Sequence, residues 1–190
     1  MASLCDIITK QSKSLTGVDL SGNHTIGDDD ACALVEVIKQ SQSLVTVDLS
    51  YNSIGSEGAS AIAEAIKQSK SPLAAVYLGG NAIDDEGASS VARAIKQSKS
   101  SLLAAVDLSW NKIGVVGLSA IAEAIAQSRS LVKVKLSFNS ITSNKVAVTI
   151  AEAIKQIKPL IVVDFTDNEI KKMLQPVFFD DDDDDGPWGL

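Results

Sequence analysis

Hydrophobic positions recur along this chain with a spacing of 28 to 30 residues. Each unit contains a leucine-like position, a valine three residues later, a second leucine-like position, then an asparagine and an isoleucine. Six asparagines mark the units: Asn23, Asn52, Asn81, Asn111, Asn139 and Asn168. Such self-similarity is typical of a solenoid, because one unit alone cannot bury its apolar face and its neighbours must cover it.

Three apolar columns accompany the asparagines, each made of equivalent positions in the six units. The first column is Leu15, Leu44, Leu73, Leu103, Leu131 and Leu160. The second is Val18, Val47, Val76, Val106, Val134 and Val163, and the third is Leu20, Leu49, Leu78, Leu108, Leu136 and Phe165. We expect these side chains to form the core. In the first unit an extra residue displaces the isoleucine, Ile26, by one place.

Each unit is predicted to fold as a short strand, a turn and a helix. In the second unit, Val47 and Leu49 alternate with the polar Asp48, which is the period of a strand. The stretch 55–58 has turn chemistry and a candidate helix N-cap. The apolar residues of 59–66 then fall on one face of a helix.

The asparagine column has a structural interpretation. An asparagine amide can bond backbone groups of its own turn and of the neighbouring unit. Left unpaired inside the solenoid, each of those groups would cost about 1–3 kcal/mol. We therefore predict an asparagine ladder, Asn23 to Asn168, that joins the units and takes no part in catalysis. Because Asn23 belongs to this ladder, we interpret the glycosylation acceptor sequence Asn23-His24-Thr25 as accidental.

The pattern Leu-x-x-Val-x-Leu-x-x-Asn-x-Ile, followed by a helix of the type Gly-Ala-x-x-Ile-Ala-Glu-Ala-Ile, resembles the leucine-rich repeats of the ribonuclease-inhibitor-like subtype. The subtype also occurs in NOD-like receptors and Ran GTPase-activating proteins, and the resemblance extends over residues 4–175. It implies an α/β horseshoe of about six repeats, with parallel strands on the concave face and helices on the convex face. It implies little about function, because this architecture serves many unrelated partners.

The repeats imply four segments. Residues 1–14 are expected to form a half-repeat capping helix, residues 15–170 the six repeats, and residues 171–179 a C-terminal cap containing Phe178 and Phe179. Residues 180–190 are expected to be a disordered acidic tail, because the run Asp180–Asp185 repels itself. Three interpretations of this run are open: a solvated tail, attraction to a basic partner, and weak calcium binding.

Charge and hydropathy exclude several classes of protein. The formal net charge is −7, most of which comes from the aspartate run, and the remaining charges nearly balance. A nucleic-acid binder needs a basic surface that this chain lacks. No apolar stretch approaches the roughly 18 residues of a membrane span, and the N-terminal residues lack the pattern of a secretory signal. We expect contact with neither nucleic acid nor membrane.

Two cysteines, Cys5 and Cys32, are too few for a disulfide framework and suit a reducing compartment. We therefore predict a monomer in the cytoplasm, or in the cytosol of a host cell if the source is an intracellular bacterium.

Catalytic chemistry has no assignable residues. A single histidine, His24, excludes His pairs and His-rich zinc sites, and no phosphate-binding loop or nucleophile elbow is present. We expect no enzyme activity, no metal and no cofactor. The resemblance to Ran GTPase-activating proteins, which join these repeats to an acidic tail, supplies an enzymatic alternative, but Arg93 and Arg129 are both predicted in or after helices, away from the concave rim. An architectural or sensor fragment of a larger receptor-like protein is a third possibility.

Residues that point away from the core of each strand face the concave surface. One such column is Asp19, Asp48, Tyr77, Asp107, Lys135 and Asp164. The column just before the asparagines is Gly22, Tyr51, Gly80, Trp110, Phe138 and Asp167. Two interpretations are open for both columns. The aspartates are a habit of the repeat or an acidic stripe for a basic partner, and the rings pack on the adjacent turn or bind a partner.

We hypothesise that the concave face binds a protein partner. Tyr51, Tyr77, Trp110 and Phe138 would anchor it, since exposed tyrosine and tryptophan are typical of binding hot spots. The charges of Asp48, Asp107, Lys133 and Lys135 would complement those of the partner. An aromatic strip between charged residues suits a protein better than a small molecule.

Overall fold

Strands of three residues and helices of thirteen residues alternate along the chain, whose computed structural model describes residues 15–98, 102–141, 145–166 and 168. The strands are β1 (Gly17–Asp19), β2 (Thr46–Asp48), β3 (Ala75–Tyr77), β4 (Ala105–Asp107), β5 (Lys133–Lys135) and β6 (Val162–Asp164). The helices are α1 (Asp28–Gln40), α2 (Ser56–Gln68), α3 (Asp85–Gln97), α4 (Val115–Gln127) and α5 (Lys145–Ile157). The predicted caps at 1–14 and 171–179 and the tail at 180–190 lie outside the described residues.

The strands form one parallel sheet in the order β1-β2-β3-β4-β5-β6. The register pairs each central valine with the valine of the next unit, from Val18 with Val47 to Val134 with Val163. Because parallel neighbours need a crossover, a helix returns the chain after each of the first five strands. The result is the predicted α/β solenoid, with the sheet on the concave face and the helices on the convex face.

The predicted core columns are confirmed except at Leu160, which is exposed, and in the first unit, where Leu15, Val18 and Leu20 are only partly buried. Leu49, Leu78 and Leu108 are fully buried, and Phe165 fills the same position of the last unit with no exposed surface. Small residues on the helices allow close packing. A side-chain carbon at Gly58 would come within 2.9 Å of Ile54 Cγ2, so glycine is required there.

The asparagine ladder is present. Asn111 Nδ2 donates to the carbonyl oxygens of Leu108 (3.2 Å) in its own unit and of Leu78 (2.9 Å) in the preceding unit. Its Oδ1 accepts from the N–H of Ile83 at 2.9 Å. Asn81 bonds both units in the same way. The structural role predicted for these residues is therefore confirmed.

The ladder is incomplete at the first unit. The Oδ1 of Asn52 is buried and has no hydrogen-bond partner within the described part of the chain. Each later asparagine accepts from an N–H of the preceding unit, and that donor stands two residues after the preceding unit's own asparagine. In the first unit the extra residue shifts Ile26 out of this position. The extra residue also places His24 at a φ of 60°. The sequence interpretation assumed that the ladder leaves no room for a sugar on Asn23. Asn23 itself is exposed, so burial does not exclude a sugar there.

Deletion of His24 should stabilise the protein. Ile26 would then stand two residues after Asn23, with its N–H placed to bond Asn52 Oδ1. We expect the free energy of unfolding to rise by about 1–3 kcal/mol, because an unsatisfied buried acceptor gains a donor. Urea denaturation of the deletion variant and the parent measures this, and an unchanged or lower free energy of unfolding would refute the account of Asn52.

Two sequence predictions about local structure need correction. The helix N-cap expected within 55–58 is Gly55, but the stretch is not a turn throughout, because α2 begins at Ser56. Leu160, predicted in the core, is 90% exposed.

The cause at Leu160 lies in the backbone just before β6 and is not Pro159 alone, because Pro72 holds the same position before the buried Leu73. The N–H of Ile161 donates to the Lys158 carbonyl at 3.1 Å, whereas that of Val132, its equivalent in the fifth unit, donates to the Ala104 carbonyl just before the preceding strand. This turn directs Leu160 away from the core.

Candidate functional site

One turn position has an unusual backbone conformation in each of the first five units. The residues that precede the ladder asparagines have positive φ angles: Gly22 (69°), Tyr51 (55°), Gly80 (66°), Trp110 (54°) and Phe138 (52°). Glycine adopts this left-handed conformation freely, whereas other residues lose about 1–2 kcal/mol there. Three large aromatic residues therefore occupy a position of positive φ that is glycine in two other units.

The parallel hydrogen bonding of the solenoid imposes this conformation. Tyr51 N–H donates to the Gly79 carbonyl at 2.7 Å, and Trp110 N–H donates to the Ser137 carbonyl at 2.9 Å, each in the next unit. The turn thus extends the pairing beyond the three-residue strands. Because the backbone is held from both sides, the aromatic side chains cannot relax into another conformation without breaking these bonds.

The three rings lie on the surface. Tyr51 is 56% exposed, Trp110 52% and Phe138 37%. Trp110 stacks on Phe138 with ring centroids 3.9 Å apart and an angle of 14° between the planes. The Tyr51 ring covers Gly80, where a side-chain carbon would come within 2.6 Å of Tyr51 Cδ1. We call Tyr51, Trp110 and Phe138 the aromatic rim. Tyr51 and Trp110 each pack against the next unit, and all three rings still expose a large part of their surface.

Beside the rim, Tyr77 lies between two carboxylates on the concave face. The strand register places it opposite Asp48 on one side and Asp107 on the other. Burial raises the pKa of the Tyr77 phenol above its usual value of 10.0, and the negative charges of Asp48 and then Asp107 add to this effect. Ala75 and Ala105 stand two residues before Tyr77 and Asp107, and their short side chains do not project from the concave face beside the Tyr77 ring.

The aspartates of this column have a structural role. Asp48 Oδ1 accepts from the N–H of Ser50 at 2.9 Å, which closes a tight turn at the strand end. Asp19 Oδ1 accepts from Ser21 N–H and then from its hydroxyl, which holds the pKa of the Asp19 carboxyl below its usual range. The interpretation of the aspartates as structural residues of the repeat therefore has a physical basis. In each turn only one of the two carboxylate oxygens accepts the hydrogen bonds.

Asp107 differs from the sequence expectation of an accessible charge. It is only 9% exposed. Its Oδ1 accepts from both the N–H (2.9 Å) and the hydroxyl (2.5 Å) of Ser109. The strand register also places it between Tyr77 and Lys135, two long side chains. Asp107 can therefore act on a partner through its field more than through direct contact.

The basic end of the face lies on β5. Lys133 and Lys135 are its first and last residues, and both are partly exposed. Lys135 lies opposite Asp107 in one direction and Asp164 in the other. Val132, just before this strand, is 56% exposed. Val132 and the two lysines therefore form an apolar and basic patch at this end of the face.

The pKa of Tyr77 gives a direct test of this geometry. In a Tyr51→Phe variant, Tyr77 is the one remaining tyrosine, and its ultraviolet titration should show a midpoint above 10.0. Asp48→Asn should lower that midpoint. Since folding favours the neutral phenol, this site stabilises the fold below the unfolded-state pKa, and its contribution is lost as pH rises through the folded-state pKa.

Asp164→Asn is the matched control for this titration. It neutralises a carboxylate of the same column that does not lie beside Tyr77, so the midpoint should stay unchanged. A midpoint at or below 10.0, or equal effects of the two aspartate variants, would contradict the arrangement.

Sequence reasoning missed the conformational strain of the rim and the packing of the Tyr51 ring on Gly80. A signal was present, since the position before the asparagine reads glycine, tyrosine, glycine, tryptophan along the first four units. Alternation of glycine with bulky residues at one turn position indicates a positive φ.

Other candidate chemistry is sparse. Within the described ranges no group of three or more His, Cys, Asp or Glu side chains could hold a metal ion. Arg93 lies exposed on α3, in a groove against Lys67 and Glu64 of α2, and Arg129 is exposed just after α4. Neither arginine lies on the concave face. None of the helices described is both long and apolar enough to span a bilayer.

Comparison with known proteins agrees with the architecture. A family model for the leucine-rich repeat matches residues 11–35, 40–63, 71–92 and 99–122, which together make up half of the chain. No curated protein matches the chain in sequence.

Solved structures also resemble it in fold. Actin-binding site 2 of leiomodin-1 is 18% identical with a TM-score of 0.67, and the match covers 84% of this chain and 92% of that one. The tropomodulin C-terminal domain of Caenorhabditis elegans is 16% identical with a TM-score of 0.64, covering 83% and 95%. At these identities the likeness concerns the fold alone. With four matched repeats, a parallel sheet and an asparagine ladder, the chain belongs to the leucine-rich repeat family.

Proposed function

We propose that this chain is a non-catalytic protein-binding module whose concave face and aromatic rim hold a protein partner. The observation that carries the proposal is the conformation of the rim. Tyr51, Trp110 and Phe138 occupy left-handed positions that favour glycine, and they remain 37–56% exposed. A residue in a costly backbone conformation that contributes little to the core is a candidate for function.

The geometry suits recognition of a protein surface. Large aromatic side chains are enriched among binding hot spots, where truncation often costs 2 kcal/mol or more. The rim is held by backbone hydrogen bonds on both sides, so little conformational freedom is lost on association. Rings that are already oriented can therefore contribute most of their contact energy to affinity.

The proposed contact residues divide by role. Tyr51, Tyr77, Trp110 and Phe138 are the anchors, with Tyr77 the most enclosed of the four. The accessible charges are those of Asp48, Lys133 and Lys135. Asp107 is retained as a charge that acts through its field, because its side chain is almost covered.

A double variant, Tyr51→Gly/Trp110→Gly, tests the proposal. Glycine removes the rings and suits the positive φ angles. Relief of the backbone strain at positive φ should stabilise the variant by about 1–2 kcal/mol per residue. This gain opposes the loss of ring stacking, which costs about 0.5–1.5 kcal/mol. We therefore expect the free energy of unfolding to stay within about 1 kcal/mol of the parent. Affinity capture from lysate should retain a protein with the parent chain and lose it with the variant, and titration of that purified protein should show at least about tenfold weaker binding.

The control is Val116→Ser/Leu160→Ser, which removes exposed apolar side chains outside the rim and should leave binding unchanged. Actin is the first purified protein to test, because the leiomodin-1 domain of similar fold is described as an actin-binding site. Equal capture by the parent and the rim variant would refute the proposed face and favour an architectural role.

We further propose that the repeats are of the ribonuclease-inhibitor-like subtype and that the protein acts as a monomer in the cytoplasm. Units of 28 to 30 residues with a full helix on the convex side support the subtype. Cys32 is a free, exposed thiol on α1, which suits a reducing compartment. Sedimentation of the purified chain tests the monomer, and fluorescence microscopy of the tagged chain in its source cell tests the compartment.

A further inference from the structure

We propose that residues 177–185 of this chain dock on an apolar surface, bordered by basic residues, at the place where β5 and β6 begin. The docking segment combines two phenylalanines with six consecutive aspartates, and it lies outside the described residues. Three features point to this contact: the exposed apolar side chains of the surface, the basic residues around them, and the length of chain that joins the segment to β6.

Four exposed apolar side chains lie close together on the fifth and sixth units. Ile157, Leu160 and Val162 belong to the end of α5, the connection that follows it and the start of β6, and they are 58%, 90% and 47% exposed. Val132 lies beside them, because the Val162 N–H donates to the Val132 carbonyl at 2.8 Å. We call Val132, Ile157, Leu160 and Val162 the docking patch. Adjacent apolar side chains that remain exposed are typical of a contact site.

Positive charge borders the docking patch. Residues 128–162 contain six basic residues and one acidic residue, whereas residues 1–127 contain nine basic and fourteen acidic residues. The six are Arg129, Lys133, Lys135, Lys145, Lys155 and Lys158. Lys133 directly follows Val132 and Lys158 directly follows Ile157, and the Lys158 ammonium donates to the carbonyl of Ser128, the residue before Arg129. The near balance of charge outside the aspartate run therefore hides an excess of basic residues in the fifth and sixth units.

The segment 177–185 has the complementary composition. Val177, Phe178 and Phe179 supply apolar side chains, and Asp180–Asp185 follow them directly. Burial of the phenylalanine rings against Leu160 removes apolar surface of both from water, while the aspartates meet the ammonium groups around the patch. Pairing with cations also relieves the repulsion within the aspartate run. The excess of acidic residues in 1–127 makes the rest of the solenoid a poorer match for this segment.

The length of the intervening chain allows this contact. Six residues of extended backbone separate Val162 from Asn168, which corresponds to about 20 Å. The ten residues from Asn168 to Phe178 can span up to about 35 Å, so Phe178 can return to the start of β6. The aromatic rim follows the strand ends, whereas the docking patch lies where strands begin. The docked segment therefore leaves the rim accessible.

Carbodiimide cross-linking of the full chain, followed by mass spectrometry of the peptides, tests this contact, because the reagent joins a carboxylate to a lysine amine only where the two touch. We expect Asp180–Asp185 to be joined to Lys133, Lys155 and Lys158. Leu160→Ser keeps every lysine and should lower the yield of these links about fivefold or more, because the docked segment loses an apolar contact. Val116→Ser is the matched control: it removes an exposed apolar side chain on α4, away from the patch, and should leave the yield unchanged.

A mixture of ¹⁵N-labelled and unlabelled chains distinguishes contact within one chain from contact between two copies. Links confined to peptides of one isotope composition would support docking within the chain, and links that join labelled to unlabelled peptides would overturn it in favour of a second copy. Equal yields for Leu160→Ser and the parent would overturn the docking patch. Links to Lys39, Lys67 and Lys96 of the earlier helices at similar yield, or no links at all, would overturn the contact itself.

Discussion

Asn111→Ala should cost about 3–4 kcal/mol of the free energy of unfolding. The amide of Asn111 donates to carbonyl oxygens of two units and accepts from the N–H of Ile83 at 2.9 Å. Its side chain is only 8% exposed, so water cannot replace these bonds. Alanine leaves a buried N–H and at least one carbonyl unsatisfied, and each costs about 1–3 kcal/mol. Urea denaturation measures the loss, and hydrogen exchange at Ile83 should accelerate first.

Asn23→Ala is the matched control. Asn23 holds the equivalent position of the first unit but is exposed, and its Nδ2 donates to Leu20 within its own turn. We expect its replacement to cost less than about 1 kcal/mol. If the two alanine variants lost similar amounts of stability, the hydrogen bonds between units could not be the source of the effect.

The sequence alone predicts the architecture well because the fold is a one-dimensional repeat. The spacing of the asparagines determines which residues meet between units, and the paired valines, the buried Leu49 and Phe165, and the ladder all followed from it. The exceptions arise where a local feature interrupts the period. The turn closed by the Ile161 N–H and the Lys158 carbonyl directs Leu160 outward, and the extra residue near His24 leaves Asn52 without its donor.

The candidate site was less predictable than the fold. The position of Tyr51, Trp110 and Phe138 in the repeat correctly predicts that they lie on the surface. The repeat pattern does not predict their backbone angles or how exposed each side chain is. The cover over Asp107 depends on how the long side chains of the adjacent strands pack, and periodicity contains no information about that. The stack of Trp110 on Phe138 also shows that packing on a neighbour and exposure to a partner are compatible.

A second feature invisible to the repeat pattern is capping between units. The N-cap of α4 is Gly114, which has no side chain to bond the first turn. Asp85, at the start of the preceding helix, supplies that bond: its Oδ1 accepts from the N–H of Gly114 at 2.7 Å and of Gly117 at 2.8 Å. Asp28 bonds the start of α2 in the same way. Each aspartate therefore caps a helix of the next unit.

Asp85→Ala should consequently destabilise the protein by about 2 kcal/mol, the upper part of the range for loss of an N-cap residue. The helix dipole adds to the effect, because a negative charge at a helix N-terminus is favourable. Asp85→Asn keeps an acceptor and should cost about half as much. Glu86→Ala is the matched control: it removes a charge from the same helical turn, but Glu86 is exposed and its side chain caps nothing within the described residues.

The comparison between these variants decides how the units are joined. If Asp85→Ala costs 1 kcal/mol or more beyond Glu86→Ala, specific capping across the boundary is the cause, at about the typical energy of a capping bond. Equal losses would mean that only the net charge of the helix start matters. At the preceding boundary α3 is capped by its own Asp84, whose N–H donates to the Ser56 hydroxyl of the preceding unit, so Asp84→Ala should destabilise the protein as the loss of an ordinary N-cap does. Stabilisation of each boundary by side chains from the neighbouring unit would keep the aromatic rim, whose rings span three such boundaries, rigid enough to bind without reordering.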